Sequence, residues 1–439
     1  MKICFIFDTF RRRSKMLLDA CLKAYKDNEA DFWIFLQNGY CDSSEKNIHI
    51  FHENRFDVIL DNVNYIKPDV IIYSSWVGGS IELLQKLKAY NHKIISDFQD
   101  CADGLEFLGE NSIRICQMTE TMEISDGILI RDPRWFESKI SAEILKRKKY
   151  ISYPDYLFKR AKKLPFSDPQ KDKSVIFLGS LGIGKLEDEI GWYKTIKAFL
   201  RQDFLVKAVP SPGHILHNIQ SKYWRLACRN PQFELLESIP MNMLGSVVRS
   251  CGFGININQK SIFHCQTNFV SFDYLYNCSS SRMFDYAEEG LGTIISPDLK
   301  YVKNTWDRSG ACITCGTHEI NSLAEMIKNK RTSFSKYQYK NWENENLLEN
   351  NLPALRNFIS IIKTEKKSRR IQKGIHSADI NFFDKKIYHL QQRLAVIEGT
   401  LVHASEKNVP VAKKIKRYFI KKSTSVYKRL FAKHYKKIK

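Results

Sequence analysis

A single stretch, residues 279–296, decides how the rest of the chain is interpreted, and it reads SSSRMFDYAEEGLGTIIS. Its opening serines favour a helix N-terminus, and a good helical run follows them. Gly290 stands where a helix commonly ends in a left-handed residue, and Thr293-Ile294-Ile295 is typical of a short buried strand. A helix N-terminus has free backbone N–H groups and a partial positive charge, so the stretch predicts an anion site.

Charged residues in the stretch extend this anion site. Arg282 adds a full positive charge at the predicted helix N-terminus, beside Ser280 and Ser281. Asp285 lies one turn further along and offers a carboxylate that accepts hydrogen bonds from ligand hydroxyls. Because phosphate is the usual guest of such a helix end, the stretch predicts that one opening holds a phosphate and a sugar together.

Strands alternate with helices before and after this stretch, which predicts an α/β fold with parallel, doubly wound sheets. The run Lys2-Ile3-Cys4-Phe5-Ile6-Phe7 is apolar after its lysine, as in strands that a parallel sheet buries on both faces. A charged, proline-containing segment near 153–172 separates two such series, so we predict two Rossmann-like domains, 1–160 and 161–365. The other predicted strands are residues 31–36, 69–73, 93–97, 127–130, 174–179, 204–209, 233–236, 254–258 and 293–295.

The stretch resembles a motif of glycosyltransferases with the GT-B fold. Ser281-Arg282-Met283-Phe284-Asp285-Tyr286, then Gly290 and a β run, is similar to the Ser-x-Lys/Arg-hydrophobic-Phe-Glu-Tyr…Gly-x-x-Val-Ile pattern of the retaining, family-4-like group, the glycosyl transferases group 1. In that group the helix N-terminus holds the donor diphosphate, and a carboxylate at the Asp285 position binds the nucleotide ribose. The resemblance covers about residues 1–365 and implies a hexosyltransferase-type enzyme that uses a nucleotide-sugar donor.

A glycine-rich loop completes the donor site that the resemblance implies. Leu178-Gly179-Ser180-Leu181-Gly182…Lys185 is similar to the family's loop at the start of the nucleotide domain, where a basic residue contacts the donor phosphates. We expect Lys185 and Arg282 to stabilise the leaving diphosphate. The residues expected to bind the donor are Gly182, Ser280, Ser281 and Asp285.

The family pattern is broken at its carboxylates. The family often has a Glu-x7-Glu element, whose first position falls here on Asn277 and whose second falls on Asp285. Aspartate is one methylene shorter than glutamate. The sequence therefore leaves open whether the sugar is transferred with retention or inversion, as well as the donor sugar, its base and the acceptor.

Candidate acceptor residues follow the strands of the first domain. Arg11, Arg12 and Arg13 form a predicted basic loop that would meet a phosphorylated or lipid-diphosphate acceptor, the alternative being a solvated loop without a ligand. An inverting enzyme needs a general base, and Asp100 is the first candidate and Asp97 the second, because both follow a strand at the ligand-binding edge. In a retaining enzyme the leaving phosphate takes the proton, and Asp100 orients the acceptor.

The last segment, residues 366–439, leaves the alternating pattern. It has apolar residues at helical spacing, and from Lys407 onward it carries thirteen of the basic residues and no acidic residue, in a chain of net charge +21. A basic amphipathic helix is typical of binding to an anionic membrane surface. Nucleic acid is the competing anion, and a disordered tail is the alternative without a partner.

Composition narrows the class of protein further. Eleven scattered cysteines, an odd number in 439 residues, indicate reduced cytosolic thiols, and we interpret the one C-x-x-C, at Cys312 and Cys315, as a strand and its exit. No apolar run approaches the roughly 20 residues of a membrane span. The resemblance implies neither a metal nor another cofactor, and no Asp-x-Asp cluster indicates one.

These observations together predict a cytoplasmic glycosyltransferase, peripherally attached to the inner face of the membrane, in cell-envelope polysaccharide or glycolipid biosynthesis. Its expected partners are a nucleotide-sugar donor, a glycan or lipid-linked acceptor, and anionic lipid bound by the tail, whereas nucleic acid is not expected. One alternative is a nucleotide-sugar epimerase of the same fold. Another is a non-catalytic GT-B-like scaffold whose tail binds membrane or nucleic acid.

Overall fold

The computed structural model describes residues 1–8, 10–25, 29–38, 41, 47–75, 80–98, 111–137, 139–179, 192–210, 221–257, 279–316 and 318–365. The chain divides into two units, Met1–Lys366 and Lys367–Lys439. The second unit contains the predicted basic tail and lies outside the described residues. The fold is therefore that of the first unit.

A parallel sheet forms the first half of this unit. Its strands within the described ranges are β1 (Lys2–Phe7), β2 (Asp31–Leu36), β3 (Ile48–His52), β4 (Val70–Ser75), β5 (Ile94–Phe98), β6 (Gly127–Ile130) and β7 (Lys149–Ser152). Their order is β3-β2-β1-β4-β5-β6-β7, and each neighbouring pair is parallel. Ile3, Phe5 and Phe7 enter one core, whereas Cys4 and Ile6 enter the core on the other face. Strands of this sheet are therefore apolar at successive positions, because side chains alternate between two buried faces.

Helices supply the other side of each core. In the first half these are α1 (Arg12–Ala24), α2 (Phe56–Ile66), α3 (Ile81–Ala89), α4 (Asn111–Ile124), α5 (Arg134–Glu137) and α6 (Lys139–Leu145). Residues of α1 pack on the face that Phe5 joins, and residues of α2 and α3 pack on the face that Ile6 joins. The result is a sheet between two helical layers.

A second parallel sheet follows in the chain. Its strands in the described part of the chain are β8 (Ser174–Gly179), β9 (Leu205–Pro210), β10 (Phe233–Leu235), β11 (Phe253–Asn256), β12 (Gly292–Ile295) and β13 (Cys312–Thr314). Their order is β10-β9-β8-β11-β12-β13, again with parallel neighbours. The accompanying helices are α7 (Tyr193–Leu200), α8 (Lys222–Arg229), α9 (Met241–Val248), α10 (Arg282–Glu288), α11 (Lys300–Asp307), α12 (Leu323–Ser333), α13 (Lys336–Glu345) and α14 (Leu348–Thr364). From β8 the chain adds strands first on one side, to β10, and then on the other side, from β11 onward. Sheets of this kind bind ligands at the carboxyl ends of the two strands where the order reverses, here β8 and β11.

The last helix, α14, packs in the core of the first sheet although it follows the second sheet in the chain. Leu355, Phe358, Ile359 and Ile362 are buried there with residues of α1. Gly127, at the start of β6, permits this approach, because a Cβ atom at that position would lie 2.8 Å from the Phe358 ring. The segment predicted as the second domain, 161–365, thus ends on a helix that completes the first core.

The two passages of the chain between the sheets are hydrogen-bonded to each other. The backbone N–H of Leu157 donates to the carbonyl of Asn346, and the N–H of Leu348 donates to the carbonyl of Leu157, both at 2.9 Å. Leu157 and Leu347 form a parallel β-bridge. The two halves are therefore joined where both connections lie side by side.

The predicted α/β class with two Rossmann-like sheets is confirmed, but one more strand, β7, follows residues 127–130, the last strand predicted for the first sheet. The sequence does not predict β3 and β7, the strands at the two edges of the first sheet. In β7 three of the four residues are exposed, and in β3 no residue is fully buried. An edge strand lacks a continuous apolar run because solvent reaches it, so the pattern that identifies buried strands does not find it.

Candidate active site

The predicted donor helix is α10, which connects β11 to β12. The predicted helix N-terminus at the serines is confirmed, because Ser281 is the N-cap residue, but Ser281 has helical dihedral angles and its side chain makes no capping hydrogen bond to the described residues. The first turn closes through backbone groups instead, because the N–H of Met283 donates to the carbonyl of Ser280 at 3.2 Å and that of Phe284 to Ser281 at 3.1 Å. Ser280 and Ser281 thus contribute backbone, not hydroxyls, to this helix start.

The end of α10 is confirmed at Gly290. This residue has φ +73°, in the left-handed region. A Cβ atom there would lie 2.2 Å from the carbonyl oxygen of Lys163, so glycine is required by both conformation and space. The helix therefore stops after two turns, and the chain returns to the sheet as β12.

Tyr286 fastens α10 to the second sheet. Its hydroxyl donates to the carbonyl of Ile255 in β11 at 3.2 Å and accepts from the N–H of Leu178 in β8 at 3.1 Å. A Cβ atom at Gly254 would lie 2.1 Å from the Tyr286 ring, so the glycine lets the ring lie against the strand. Burial raises the pKa of Tyr286, which keeps the phenol protonated as a donor. The predicted donor helix is thereby held over the carboxyl ends of two adjacent strands.

Arg282 lies at the end of β8, where the predicted glycine loop begins. Gly179, the last residue of β8, has φ +116°, and a Cβ atom there would lie 2.8 Å from Nη2 of Arg282. The guanidinium carbon is 5.4 Å from the centre of the Phe177 ring and 6.0 Å from that of Trp192. Arg282 and the loop start are therefore adjacent, as predicted, whereas Gly182 and Lys185 lie outside the described residues.

Asp285 meets a residue of the first half of the unit. Arg12, in the first turn of α1, forms an ion pair with Asp285 and a second one with Glu288 at 2.6 Å. The same guanidinium donates to the carbonyl of Tyr156 at 3.1 Å and lies 4.5 Å from the centre of the Phe158 ring. Arg12 thus connects the first sheet, the passage between sheets and the donor helix.

Among known proteins, no family model and no curated protein matches the sequence of this chain. Solved structures do match. HepE of Anabaena in complex with UDP has a TM-score of 0.51 at 9% identity, over 82% of this chain and 100% of its own.

Proteins of trehalose phosphate synthesis match in the same way. The trehalose-6-phosphate protein of E. coli, bound with UDP-2-fluoro glucose, has a TM-score of 0.52 at 11% identity, over 83% of this chain and 100% of its own. The α,α-trehalose-phosphate synthase (UDP-forming) of Burkholderia xenovorans, in complex with glucose-6-phosphate, has a TM-score of 0.53 at 10% identity, over 82% and 100%. These neighbours are GT-B proteins with two Rossmann-like domains.

The chain has the GT-B fold. TM-scores of 0.51–0.53 establish the fold alone, and at identities of 9–12% the ligands of this chain are argued from its own residues. In its GT-B fold, the first sheet belongs to the N-terminal domain and the second sheet, with α10, to the C-terminal domain. Arg12 therefore carries a contact from the N-terminal domain to the predicted donor helix.

A second contact between the two GT-B domains lies just before α10. The N–H and the hydroxyl of Ser279 donate to Oδ2 of Asp132, at 3.3 and 3.2 Å. Asp132 follows β6, and Arg134 holds it through Nε at 2.8 Å and Nη2 at 2.5 Å. Burial raises the pKa of Asp132, but the nearby Arg134 outweighs burial and leaves the pKa below its ordinary value.

Asp132 is absent from the residues predicted from the sequence. A signal for it exists, because Asp132 comes two residues after the predicted strand 127–130, at the same edge that makes Asp97 and Asp100 candidates. Its partner Ser279 stands at the start of the decisive stretch. Nothing in the spacing of the two residues connects them, since they are 147 positions apart.

The predicted basic loop Arg11–Arg13 is wrong as a loop, because α1 begins at Arg12. Arg11 is exposed, whereas Arg12 and Arg13 are buried. Arg13 donates to Oδ1 of Asp97 through Nε at 3.0 Å and Nη2 at 2.7 Å, and its Nη1 lies 3.4 Å from Oδ1 of Asp155. Binding of an acceptor by these arginines stays a prediction, and of the three Arg11 is the one exposed to solvent.

The candidates for the general base differ in what the structure describes. Asp97 is fully buried, and its two oxygens accept from Arg13 and from the Ser74 hydroxyl at 2.9 Å. These donors enclose Asp97 within the described part of the chain, and its role as a general base stays a prediction. Asp100 lies outside the described residues, and its role stays a prediction.

The charge state of the Arg12 cluster follows from its burial. Burial raises the pKa of Asp285 to about 6, the charge of Glu288 acts in the same direction, and Arg12 opposes both. Burial lowers the pKa of Arg12, but Asp285 and Glu288 outweigh it and raise that pKa above its ordinary value. Asp285 is therefore an ionised carboxylate at neutral pH that protonates in mildly acidic solution.

The described residues supply neither a group of metal ligands nor a helix that could span a membrane. Among the described residues, no group of three or more His, Cys, Asp or Glu side chains is placed to hold a metal ion. Cys312 lies in β13, and burial raises the pKa of both C-x-x-C thiols, Cys312 and Cys315, to about 12. In the same described ranges, no helix combines the length and the apolar character needed to cross a membrane.

Proposed function

We propose that this protein is a glycosyltransferase that moves a sugar from a nucleotide-sugar donor to an acceptor hydroxyl. One observation carries the proposal: within a GT-B fold, Arg282 lies against Gly179 at the start of the glycine loop, and Asp285 follows one turn later on the same helix. A cation beside a close backbone approach suits a diphosphate, and a neighbouring carboxylate suits ribose hydroxyls. The neighbours solved with UDP and with UDP-2-fluoro glucose support a nucleotide-sugar site.

In the proposed reaction the bond between the sugar and the diphosphate breaks, and negative charge grows on the leaving diphosphate. Arg282 would meet that charge, with the rings of Phe177 and Trp192 restricting its guanidinium. Lys185 would supply a second positive charge from the glycine loop. Neither a metal nor another cofactor takes part in the proposal. Asp100, or the leaving phosphate itself, would take the proton of the acceptor hydroxyl.

A nucleoside diphosphate is expected to stabilise the folded protein. Binding to the native state alone adds about 2.7 kcal/mol to the free energy of unfolding at a ligand concentration of 100 Kd. A thermal-shift screen of the full chain with UDP, ADP, GDP and CDP measures this, and inorganic phosphate serves as the control for nonspecific anion binding. No shift with any nucleoside diphosphate would contradict the donor site. A positive hit is followed by an assay of the corresponding nucleotide sugar with and without glycan acceptors.

The acceptor and the place of action belong to the same proposal. We propose a lipid-linked or cell-envelope glycan as acceptor and an anionic membrane surface as the location. The basic C-terminal segment supports this, because its thirteen basic residues from Lys407 onward alternate with aromatic and aliphatic residues at helical spacing. Each basic residue near an anionic surface contributes about 1 kcal/mol to binding.

Removal of residues 407–439 is expected to abolish sedimentation with anionic liposomes. Full-length protein and a 1–406 truncation are compared with anionic and neutral vesicles at low and high salt. Inserted Phe419, Leu430 and Phe431 should keep part of the binding at high salt, whereas binding by charge alone falls steeply with salt, as for nucleic acid. Equal sedimentation of both proteins, or a tail that ignores anionic lipid yet retains RNA, would contradict membrane attachment.

A further inference from the structure

Arg12 is a buried cation of the N-terminal domain. Among the described residues, it is the one such cation that contacts the predicted donor helix α10. The Arg12 side chain is 9% exposed. Its guanidinium binds Asp285 through Nη1 and Glu288 through Nη2, and Nη2 also donates to the carbonyl of Tyr156. Glu288 is held from a second side, because it accepts from the N–H of Phe158 at 2.7 Å. The guanidinium therefore has a fixed place between both domains.

Asp285 is held through one carboxylate oxygen, and its side chain is partly exposed. Arg12 contacts Oδ1, and among the described residues no other hydrogen bond is made to this carboxylate. The side chain of Asp285 is 21% exposed, although the helix around it is buried. A partly exposed carboxylate that Arg12 holds through Oδ1 keeps hydrogen-bonding capacity on Oδ2, so it is suited to accept hydrogen bonds from a ligand at a defined position.

We propose that Arg12 is a positioning residue for the nucleotide: it reaches from the N-terminal domain to hold Asp285 by Oδ1, so that Oδ2 accepts from the ribose hydroxyls. This inference rests on the proposed function, since it assigns the ribose to Asp285. Arg12 itself touches neither the sugar nor the phosphates. Affinity for the nucleotide then depends on a side chain of the opposite domain.

The charges around Asp285 support the same role. The charged groups acting on it are Arg12 from α1, Glu288 from its own helix, and Asp155 from the passage between the sheets. Arg282, three residues earlier on α10, is directed to Gly179. Of the groups that act on Asp285, Arg12 is the cation, so its removal leaves two anions that disfavour the ionised carboxylate.

Loss of Arg12 is therefore expected to change the pH dependence of nucleotide binding as well as its strength. In the wild type, Asp285 protonates near pH 6, so affinity falls as pH drops through that value. Without Arg12 the pKa of Asp285 rises, and the same fall occurs at higher pH. A residue that served the fold alone would not move this midpoint.

The experiment is isothermal titration calorimetry with UDP, ADP and GDP between pH 5 and 8.5, continued with the probe that the wild type binds. Arg12→Gln is expected to weaken binding by about tenfold or more at pH 7.5 and to raise the pH midpoint. In an Asp285→Asn background the same substitution should change affinity by less than about twofold, because its target is gone. The titration of the probe's own phosphate is common to all variants and cancels between them.

Two further variants separate the charge of Arg12 from its geometry and provide a control. Arg12→Lys keeps the charge without the fork that spans both carboxylates, so it should restore the pH midpoint while affinity stays several-fold lower. It also carries the test if Arg12→Gln does not fold. Lys23→Gln, on the same helix and paired with exposed Glu349 at 2.8 Å, is the matched control and should bind as the wild type does.

The outcomes separate this inference from the proposed function. If the wild type binds none of the probes, the proposed donor site is contradicted, and so is this inference. If the wild type binds and the Arg12 variants match its affinity and pH midpoint, the inference alone is overturned. Equal losses from Arg12→Gln with and without Asp285 would also overturn it, because Arg12 would then act independently of that carboxylate.

Discussion

Asp155→Asn is expected to lower the free energy of unfolding by about 3–5 kcal/mol, because it takes the anion from a buried ion-pair network. Asp155 is 2% exposed and lies in the passage between the two sheets. Its Oδ2 accepts from Nε of Arg131 at 3.0 Å and from Nη2 at 2.7 Å, and its Oδ1 lies 3.4 Å from Arg13. The substitution leaves two buried guanidinium groups with less negative charge than they require.

The pH dependence of this loss has a definite sign. Burial raises the pKa of Asp155, but Arg131 and Arg13 outweigh burial and hold the pKa below its ordinary value. A carboxylate with a depressed pKa stabilises the fold above its unfolded pKa of about 3.9, and the stabilisation is lost as pH falls through the folded pKa. The difference between wild type and variant should therefore be full at pH 7 and shrink below about pH 4.

Urea unfolding followed by circular dichroism at pH 7 and at several acidic pH values measures both effects. Glu82→Gln is the matched control, because Glu82 forms an exposed pair with Lys86 at 2.7 Å and its loss should leave the midpoint unchanged. An Asp155→Asn protein as stable as this control would show that the network contributes nothing net to the fold.

Arg282→Ala is expected to lower kcat by about 10²–10³-fold in the transfer reaction, the loss typical of one preorganised group facing growing negative charge. Arg282 lies against Gly179, the last residue of β8, and its guanidinium lies near the rings of Phe177 and Trp192. In the proposed reaction the leaving diphosphate gains charge in the transition state, so the interaction should be stronger there than with the bound donor. Removal of the guanidinium should thus lower kcat more than it raises KM.

Steady-state kinetics with the donor found by the thermal-shift screen tests this prediction. Arg282→Lys should lie between wild type and alanine, since an ammonium keeps the charge and loses the planar geometry. Arg308→Ala removes an exposed arginine paired with Glu345 and serves as the control. A raised KM with an unchanged kcat would place Arg282 in ground-state binding and contradict its role in catalysis.

The sequence predicts the fold best where strands are buried on both faces. β1, β2, β6 and β8 lie at their predicted bounds, because a continuous apolar run has one main interpretation in an alternating α/β pattern. The edge strands β3 and β7 lack such a run and are not predicted. The serines before α10 mark its N-terminus correctly, but the sequence does not say whether a side chain or the backbone closes the first turn, because the two compete.

The sequence predicts which site residues lie together only when they are close to each other in the chain. Arg282 and Asp285 are neighbours on one helix, so their common location follows from the motif. The pairing of Arg12 with Asp285 joins residues 273 positions apart, and periodicity carries no information at that distance. For the same reason the three arginines after β1 have the sequence appearance of a solvated loop, although two of them meet carboxylates supplied by distant parts of the chain.

The position of α14 has a consequence for the order in which the chain folds. Leu355, Phe358 and Ile362 complete a core whose other members include residues of β1, so that core stays open until the last turns of α14 have been synthesised. The N-terminal domain cannot finish folding as it leaves the ribosome, although domains that emerge first usually do. The C-terminal sheet can form earlier, because its last strand ends at Thr314. Only after it does α14 follow in the chain and pack beside β1. A stalled nascent chain ending before residue 348 would therefore expose the apolar face that α14 covers, which makes it a target for chaperones.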